Sequence, residues 1–458
     1  MKNELEKKWG LPTALSMVMG IVIGSGIFFK AVKVLSITKG NMAQALLVIG
    51  IVGMICIVCS NVFAQMGRNY SSCNGLVDYA EVACGKKYAY FIGFFTSTIY
   101  NPVIASTLCY IGASYFSMMC GLEMYGQATT GFSIFFMIML IVMNMLTPKL
   151  AGKFQVSTTI IKLAPILLMA IIGSAVGLIN GNGVAIFTEA AGVASGKDIF
   201  AGVCAFTFSY EGWIAATTIN SELKNPKRDL PLALTIGGIG CTLIYMLYVY
   251  SMSATMSAAE IIAAGDNLPK IAFANMFGNF AGNIILAIIV ISCLGTANGM
   301  TISTMRGFYS LAVRGNGPRP KAVSEIDEST GMPLKSCIIG IGLMGFWLFQ
   351  TSTLFFQGPL AFNGTHNPEW LLAWEADEIC IITIYALYIP IFVHIIKSET
   401  TFNFLNRYIL PSLAIILSLF MCYCAYHAYG IQILYYLIFF TITQAIGMYF
   451  YEDKSIKN

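Results

Sequence analysis

The chain has 458 residues, of which 57% are hydrophobic and only 10% charged, and its formal net charge is +4. Because a soluble domain carries about 25% charged residues, this composition cannot cover a water-facing surface and excludes a soluble enzyme. The small net charge also gives no reason to expect a nucleic-acid partner. The sequence therefore predicts a polytopic membrane protein in contact with the lipid bilayer.

The predicted elements begin with a polar N-terminal tail at 1–10, which does not have the pattern of a removable signal peptide. A spanning helix needs roughly 20 apolar residues, and long apolar runs without strict alternation favour helices over a barrel. Twelve such segments follow the tail, at 11–29, 42–66, 88–119, 130–147, 155–179, 198–220, 231–257, 280–312, 334–356, 379–396, 408–427 and 430–450. A polar C-terminal tail occupies 451–458. We predict an all-α membrane protein with twelve transmembrane helices.

The distribution of basic residues predicts how the chain is oriented. Twenty of the 26 Lys and Arg residues lie in the two tails and in alternate loops that face the same side. Five lie on the other side: Lys30, Lys33, Lys39, Lys197 and Lys270. Basic residues accumulate on the cytoplasmic side of a membrane, so both termini are expected in the cytoplasm and the protein in the plasma membrane.

Two apolar segments contain a break near their middle. The first segment carries glycine, serine and glycine at 24–26, and the sixth carries Glu211 followed by Gly212. Ser25 and Tyr210 are 185 residues apart, while their segments begin 187 residues apart, so the breaks occupy corresponding positions. Paired interrupted helices of this kind indicate the central site of a transporter built from inverted repeats.

The chemistry of such breaks suits an amino acid. Unwinding a helix within the membrane frees backbone N–H groups on one half-helix and carbonyl groups on the other. The N–H end suits a carboxylate and the freed carbonyls suit an ammonium group. Small residues also let helices pack closely, which gives the glycines at 24–26 a second interpretation, disfavoured by the matching break with its carboxylate.

Two polar residues within the predicted spans, Lys162 and Asn101, are further candidate functional residues. Lys162 lies about 10 Å into the fifth segment at ~1.5 Å per residue, where a lysine is costly and commonly functional, although its side chain could instead extend back to the interface. Asn101 either lines the pocket for the substrate side chain or hydrogen-bonds a neighbouring helix. Pro102 and Pro165, close to these residues, are candidate helix kinks.

The remaining charged and reactive residues give weaker indications. The stretch 357–378 has four acidic residues and no Lys or Arg, and it is either a hydrated loop or an acidic vestibule that attracts amines. Most of the thirteen cysteines lie in or beside apolar segments, where they act as small hydrophobic residues. No metal-ligand cluster, Ser/His/Asp set or phosphate loop occurs at membrane depth, so we expect neither an enzyme nor a cofactor.

The sequence at both breaks resembles that of a known superfamily. Residues 20–30 read GIVIGSGIFFK and contain the G-S-G-[IV]-F signature of the amino acid–polyamine–organocation superfamily. Residues 208–231 read FSYEGWIAATTINSELKNPKRDLP and resemble F-A-Y-x-G-W followed by E-x-x-N-P-x-x-x-x-P of its L-amino acid transporter family. The similarity in helix pattern extends over nearly the whole chain.

This resemblance implies the leucine-transporter fold. It comprises a ten-helix core at 11–396, with inverted repeats at 11–179 and 198–396, and two further helices within 397–450. The substrate carboxylate would be held by backbone N–H groups near Ser25, Gly26 and Ile27. Its amino group would meet carbonyls near Val22, Phe208 and Glu211. The resemblance also implies that Phe208 is an external gate and that Lys162 replaces a sodium ion, bridging the first helix and the eighth near Ser292.

Three departures from the family pattern affect these expectations. Residues 64–67 read AQMG, so the acid and the proline of the family's first cytoplasmic loop are missing. Glu211 stands at a variable family position and could tune substrate choice or carry a proton. Cys120 lies near the cysteine that links animal members to a single-span subunit, but its neighbours differ, so we expect a free thiol and no ancillary subunit.

The leading hypothesis is therefore a sodium-independent antiporter of small or medium neutral L-amino acids that works by alternating access. A second hypothesis is proton-coupled uptake of cationic amino acids or polyamines, which would use Glu211 and the acidic stretch. A third, from a different class, is an amino acid sensor that keeps the fold without transporting.

Overall fold

The computed structural model describes residues 10–70, 75–146, 148–188, 192–214, 217, 223–328, 330–356 and 374–452. Within these ranges the regular structure is helical, with no β-strand. The helices of the first half are α1 (Leu11–Val22), α2 (Gly26–Ile37), α3 (Met42–Asn69), α4 (Leu76–Phe95), α5 (Asn101–Met119), α6 (Gln127–Leu146), α7 (Pro148–Leu168), α8 (Ser174–Ile179), α9 (Asn182–Ala185) and α10 (Gly196–Tyr210). Those of the second half are α11 (Pro226–Ser251), α12 (Ala258–Ala264), α13 (Leu268–Phe277), α14 (Asn279–Val313), α15 (Pro320–Val323), α16 (Leu334–Phe356), α17 (Ala376–Ser398), α18 (Leu410–Tyr429) and α19 (Ile431–Tyr449).

The predicted membrane-spanning segments are found as helices. In the part of the chain that the structure describes, ten helices are long and apolar enough to cross a membrane, and the bent pair α1–α2 raises this number to eleven. The sixth segment is represented by α10, and residues 215–216 and 218–222 of that segment lie outside the described ranges. Large apolar side chains such as Ile160 and Phe349 are exposed on these helices, as expected where the solvent is lipid.

Several local features differ from the sequence expectation. The first segment, predicted to end at residue 29, continues as α2 to Ile37, and Lys30, expected outside the span, is buried within it. Helix α4 starts at Leu76, before the third predicted segment. It is kinked at Gly85, whose φ of 84° is a left-handed conformation that glycine adopts without strain.

Both candidate proline kinks lie beside a π-helical turn. Residues Thr96–Tyr100 form one such turn immediately before α5, where Pro102 is the second residue. Residues Met169–Gly173 form another just after Pro165 in α7. Because proline lacks the N–H that would complete the helical hydrogen-bond ladder, it loosens the adjoining turn.

The chain separates into two compact units. The first comprises the described parts of Met1–Gly85, Leu163–Ile285 and Ile381–Ala428, and therefore contains both predicted breaks. The second comprises those of Lys86–Lys162, Leu286–Cys380 and Tyr429–Asn458, and contains Asn101 and Lys162. Each unit draws helices from both halves of the sequence.

In the first unit, α11 packs against α1 and α3, and α10 packs against α2 and α3. The hydroxyl of Tyr210 at the end of α10 lies 2.9 Å from Thr242 Oγ1 of α11 and 3.3 Å from the Ile49 carbonyl of α3. A Cβ atom at Gly53 of α3 would lie 2.7 Å from that hydroxyl. The absence of a side chain at Gly53 therefore lets the three helices meet at one polar contact.

In the second unit, α5 packs against α6 and α16. Two hydrogen bonds join α16 to the region around α5: Ser106 Oγ donates to the Met344 carbonyl at 2.9 Å, and Trp347 Nε1 donates to the Thr98 carbonyl at 2.9 Å. Thr98 belongs to the π-helical turn before α5. The carbonyl that Trp347 contacts is thus provided by irregular backbone, which in a membrane must find a partner within the protein.

Candidate functional site

The first break separates α1 from α2 and confirms the predicted interruption. Helix α1 ends at Val22, helix α2 begins at Gly26, and the two axes differ by 52°. Ile23 has φ −71° and ψ 89°, which are not helical values. Ser25 precedes α2, and its hydroxyl is buried with no hydrogen-bond partner among the described residues. The break thus leaves one polar side chain, that of Ser25, buried without a hydrogen-bond partner among the described residues.

The second break ends α10 and is also confirmed. Glu211 has extended backbone angles (φ −68°, ψ 151°), and Gly212 has a φ of +104°. A residue with a side chain is strained at such a positive φ, so glycine permits the chain to leave the helix axis here. The N–H of Glu211 still donates to the Phe208 carbonyl, at 3.3 Å, as the final contact of the helix.

The two breaks lie against each other within the first unit. A Cβ atom on Gly26 would stand 2.9 Å from Phe208 Cδ1 and 3.1 Å from Ser209 Cα. A Cβ atom on Gly212 would stand 2.8 Å from the Ile21 side chain. Each break therefore has a glycine in contact with the helix that the other one interrupts. Of the predicted site residues, this brings together Val22, Ser25, Gly26, Ile27, Phe208 and Glu211.

A residue of α11, which the sequence did not single out, connects the two breaks. The Tyr245 hydroxyl lies 2.8 Å from the Val22 carbonyl at the end of α1 and 2.7 Å from the Ser209 carbonyl near the end of α10. A hydroxyl has one proton, so it donates to one of these carbonyls at a time. A tyrosine within an apolar run carries no sequence signal of this kind, because its role depends on which helices surround it.

Glu211 and Trp213 lie among residues of α3 and α17. Trp213 Nε1 donates to the Tyr385 hydroxyl at 3.0 Å, and this fixes the chain just after the second break. The Glu211 carboxylate interacts electrostatically with the side chains of Tyr388 and Cys56. Cys56 and Cys59 of α3 are buried free thiols, as expected for cysteines that act as small hydrophobic residues in an apolar segment.

The Phe208 side chain belongs to a cluster with two residues of α2. Its ring centroid is 5.4 Å from that of Phe29, with the planes tilted by 60°. The Lys30 Nζ lies 5.2 Å from the Phe208 centroid and 5.7 Å from the Phe29 centroid. Both distances are within the ~6 Å range of a cation–π contact.

Asn101 and Lys162 belong to the second unit. Asn101 begins α5 and is half-buried. Lys162 is only 5% exposed, so its side chain is buried. A Cβ atom on Gly295 of α14 would lie 2.2 Å from Thr158 Oγ1, which places α7 in close contact with α14 one turn before Lys162. The buried Ser292 is on α14, one turn before Gly295.

The acidic stretch 357–378 is described only from residue 374 onward. Asp377 and Glu378 are buried in the first turn of α17, so for these two the hydrated-loop interpretation is wrong. Their carboxylates and that of Glu375 lie within 4.8 Å of one another, and the Tyr429 hydroxyl donates to Glu378. Glu369, the fourth acidic residue, lies outside the described residues.

Comparison with known proteins identifies the class to which this fold and its paired breaks belong. Residues 10–448 match the amino acid permease family, and the chain belongs to that family. This confirms the superfamily resemblance seen in the sequence. Members of this family are transporters, and the chain is accordingly a transporter of amino acids and not an enzyme.

Several characterised proteins are similar in sequence. The serine/threonine exchanger SteT of Bacillus subtilis is 29% identical over 391 residues, which cover 85% of this chain and 83% of that protein. The human b(0,+)-type amino acid transporter 1 is 26% identical over 317 residues, 67% of this chain and 63% of that protein. The human cystine/glutamate transporter is 24% identical over 349 residues, 72% of this chain and 66% of that protein.

A solved structure supports the fold. The crystal structure of MhsT in complex with L-phenylalanine aligns with a TM-score of 0.57, over 93% of this chain and 100% of that one, at 13% sequence identity. MhsT has the leucine-transporter fold. The fold class expected from the resemblance is therefore confirmed, because an interrupted first helix and an interrupted sixth helix are found where that fold requires them.

Proposed function

We propose that the protein is a sodium-independent exchanger of small or medium neutral L-amino acids that works by alternating access. The observation that carries this proposal is the contact between the two helix breaks, with Tyr245 joining their carbonyl ends. In this proposal, N–H groups at Ser25, Gly26 and Ile27 bind the substrate carboxylate. The substrate ammonium would donate hydrogen bonds to the carbonyls near Val22, Phe208 and Glu211, close to the Tyr245 hydroxyl.

SteT supports the proposal of exchange and of neutral substrates, because among the three relatives described above it covers the largest share of this chain. That relative is named a serine/threonine exchanger, and it matches most of both chains. Sodium independence is supported by Lys162, a buried ammonium on α7 beside α14. A fixed cation there could supply the positive charge that a bound sodium ion would otherwise provide. Asn101 would contact the substrate side chain, and Phe208 would cover the bound substrate as the external gate.

The test is transport in proteoliposomes preloaded with unlabelled amino acids. We expect uptake of a labelled neutral amino acid only when a counter-substrate is inside, with no response to a sodium gradient. A competition panel of the common amino acids and polyamines then ranks the substrates. Uptake that ignores the internal amino acid and follows the sodium gradient would contradict the proposal.

We also propose a plasma-membrane location with both termini in the cytoplasm and no ancillary single-span subunit. Cys120 offers a test, because it is exposed after α5, on the predicted outer side. A membrane-impermeant thiol reagent should label intact cells that carry the protein, and Cys120→Ser should remove that labelling. Labelling of Cys120 only after permeabilisation would reverse the proposed orientation.

A second candidate function is proton-coupled uptake. It is supported by Glu211, whose carboxylate at the second break interacts electrostatically with Tyr388 and Cys56. If Glu211 carries a proton during transport, Glu211→Gln should abolish accumulation that depends on a pH gradient. The same variant should leave exchange intact if the carboxylate only shapes the pocket. Wild-type uptake that is equal across pH would eliminate this candidate.

A further inference from the structure

Ser209 carries a buried hydroxyl in the last turn of α10, next to the second break. It is 2% exposed, and its Oγ has no hydrogen-bond partner among the described residues. Hydroxyls within helices ordinarily donate to a carbonyl of their own helix, as Thr207 Oγ1 does toward the Cys204 carbonyl at 2.6 Å. The family pattern F-A-Y-x-G-W has alanine at the position of Ser209, so the resemblance assigns this hydroxyl no role. Because a buried hydroxyl without a partner is costly, Ser209 is suited to bind a ligand.

The Ser209 side chain lies against the start of α2. A Cβ atom on Gly26 would stand 3.3 Å from Ser209 Oγ and 3.1 Å from Ser209 Cα. Gly26 is the residue with which α2 begins. Ser25, which precedes it, carries a second buried hydroxyl, which is also without a hydrogen-bond partner among the described residues. Two such hydroxyls, one from each break, are therefore found at the N-terminus of α2.

The N-terminus of α2 is suited to an anion. The first N–H groups of a helix have no partners within it, and the helix dipole gives this end a partial positive charge. Helix α2 has no side-chain cap from Ser25 and no acidic residue in its first turn. A carboxylate accepts several hydrogen bonds at once, from N–H and hydroxyl donors together. The carboxylate of a bound amino acid therefore fits both the helix end and the two hydroxyls.

We propose that Ser209 is a specificity-determining residue whose hydroxyl donates a hydrogen bond to the substrate carboxylate, beside the N–H groups at the start of α2. This inference rests on the proposed function, because it takes the two breaks as the substrate site, and it adds to that site a donor from α10. The Ser209 backbone is held in place, since its carbonyl lies 2.7 Å from the Tyr245 hydroxyl. The resulting site selects ligands with a free carboxylate over carboxamides and over amines that lack one.

The experiment compares the purified wild-type protein with Ser209→Ala, which removes the hydroxyl. Thr207→Val is the matched control, since it removes another buried hydroxyl of α10, one that bonds its own helix. The ligands are L-leucine and L-serine, each paired with its carboxamide, which keeps the ammonium group and the side chain but has no negative charge. Binding is measured by thermal stabilisation over a concentration series, and exchange of the labelled amino acids is measured in proteoliposomes. Ser209→Cys, whose thiol is a weak donor, replaces the Ala variant if the latter does not elute as a single species.

For Ser209→Ala we expect the affinity for each amino acid, relative to that for its carboxamide, to fall about tenfold, because a hydrogen bond to a charged group is lost. Thr207→Val should keep the wild-type ratio. A purely structural role would weaken the amino acid and the carboxamide together, so an unchanged ratio in a folded Ser209→Ala protein overturns the inference. Amino acid binding without exchange would refute the proposed function alone, while a wild type that binds neither amino acid would refute both.

Discussion

At the scale of single residues, the site depends on contacts that leave no space for a side chain at Gly26. Its missing Cβ would approach the Phe208 ring and the Ser209 backbone to about 3 Å, and backbone cannot move as a flexible side chain does. The glycine is thus required by its neighbours on another helix as well as by the interruption of its own.

We expect Gly26→Ala to reduce exchange at least about tenfold, which corresponds to ~1.4 kcal/mol of lost stabilisation. The added methyl group would displace Phe208 and separate the two breaks. Gly342→Ala is the control, because a Cβ atom at Gly342 of α16 meets nothing within 4 Å. Initial rates of labelled exchange in proteoliposomes provide the measurement, and wild-type rates for Gly26→Ala would show that the breaks do not need this contact.

Tyr245 gives a second prediction at this scale. Tyr245→Phe removes the hydroxyl between the Val22 and Ser209 carbonyls, and an unsatisfied buried acceptor costs about 1–3 kcal/mol. We expect slower exchange and a lower melting temperature. Tyr449→Phe on α19, where the side chain is exposed, should change neither. Equal melting curves and rates for Tyr245→Phe and wild type would contradict the bridging role.

At the scale of helices, buried amides join α6, α7 and α14 in the second unit. Asn144 Nδ2 donates to Asn298 Oδ1 at 2.8 Å, and Asn298 Nδ2 lies 3.2 Å from both Gln155 Oε1 and the Ala151 carbonyl. Apolar side chains cannot orient helices in lipid by the hydrophobic effect, so such hydrogen bonds and close contacts of small residues have that role.

We expect Asn298→Ala to lower the free energy of unfolding by about 1–2 kcal/mol, because Asn144 and Gln155 each lose a partner. The readout is the melting temperature of the detergent-purified protein. Ser303→Ala on the same helix is the control, since the exposed Ser303 hydroxyl bonds only its own helix, at the Gly299 carbonyl. An identical decrease in both variants would mean that the loss reflects α14 itself and not the interhelical network.

At the scale of the whole molecule, scarce charges mark the places where transport chemistry is expected. Lys162 on α7 is buried, and the proposed function gives its ammonium the role of a fixed cation. Lys153 lies on the same helix but is exposed, which makes the two lysines a matched pair.

We expect Lys162→Met to reduce exchange at least about tenfold while the protein still elutes as a single species, since an intramembrane charge that serves transport cannot be replaced by an apolar group. Lys153→Met should retain wild-type exchange. Rates are compared with and without a sodium gradient. Wild-type flux in Lys162→Met would remove the lysine from the mechanism.

The two helix breaks were predictable from the sequence, whereas the extension of α2 was not. The break at 24–26 and the break at Glu211 were read from the chain because glycine and a carboxylate are unusual in an apolar run, and both were found. The extension of α2 over Lys30 was missed because a lysine normally ends an apolar segment. Only its burial beside Phe29 and Phe208 reveals that here the helix continues.

The sequence by itself determined that the protein lies in lipid, that it is helical and where its two helix breaks occur. Each of these follows from local chemistry. Long apolar runs require lipid, backbone in lipid requires internal hydrogen bonds, and glycine interrupts a helix. Only the tertiary structure decided that Gly26 contacts Phe208, that Tyr245 joins the two carbonyl ends and that Lys30 lies behind the Phe208 ring. These contacts join residues up to 223 positions apart. Such partners are chosen by the shapes of packed helices, which no local pattern in the chain records.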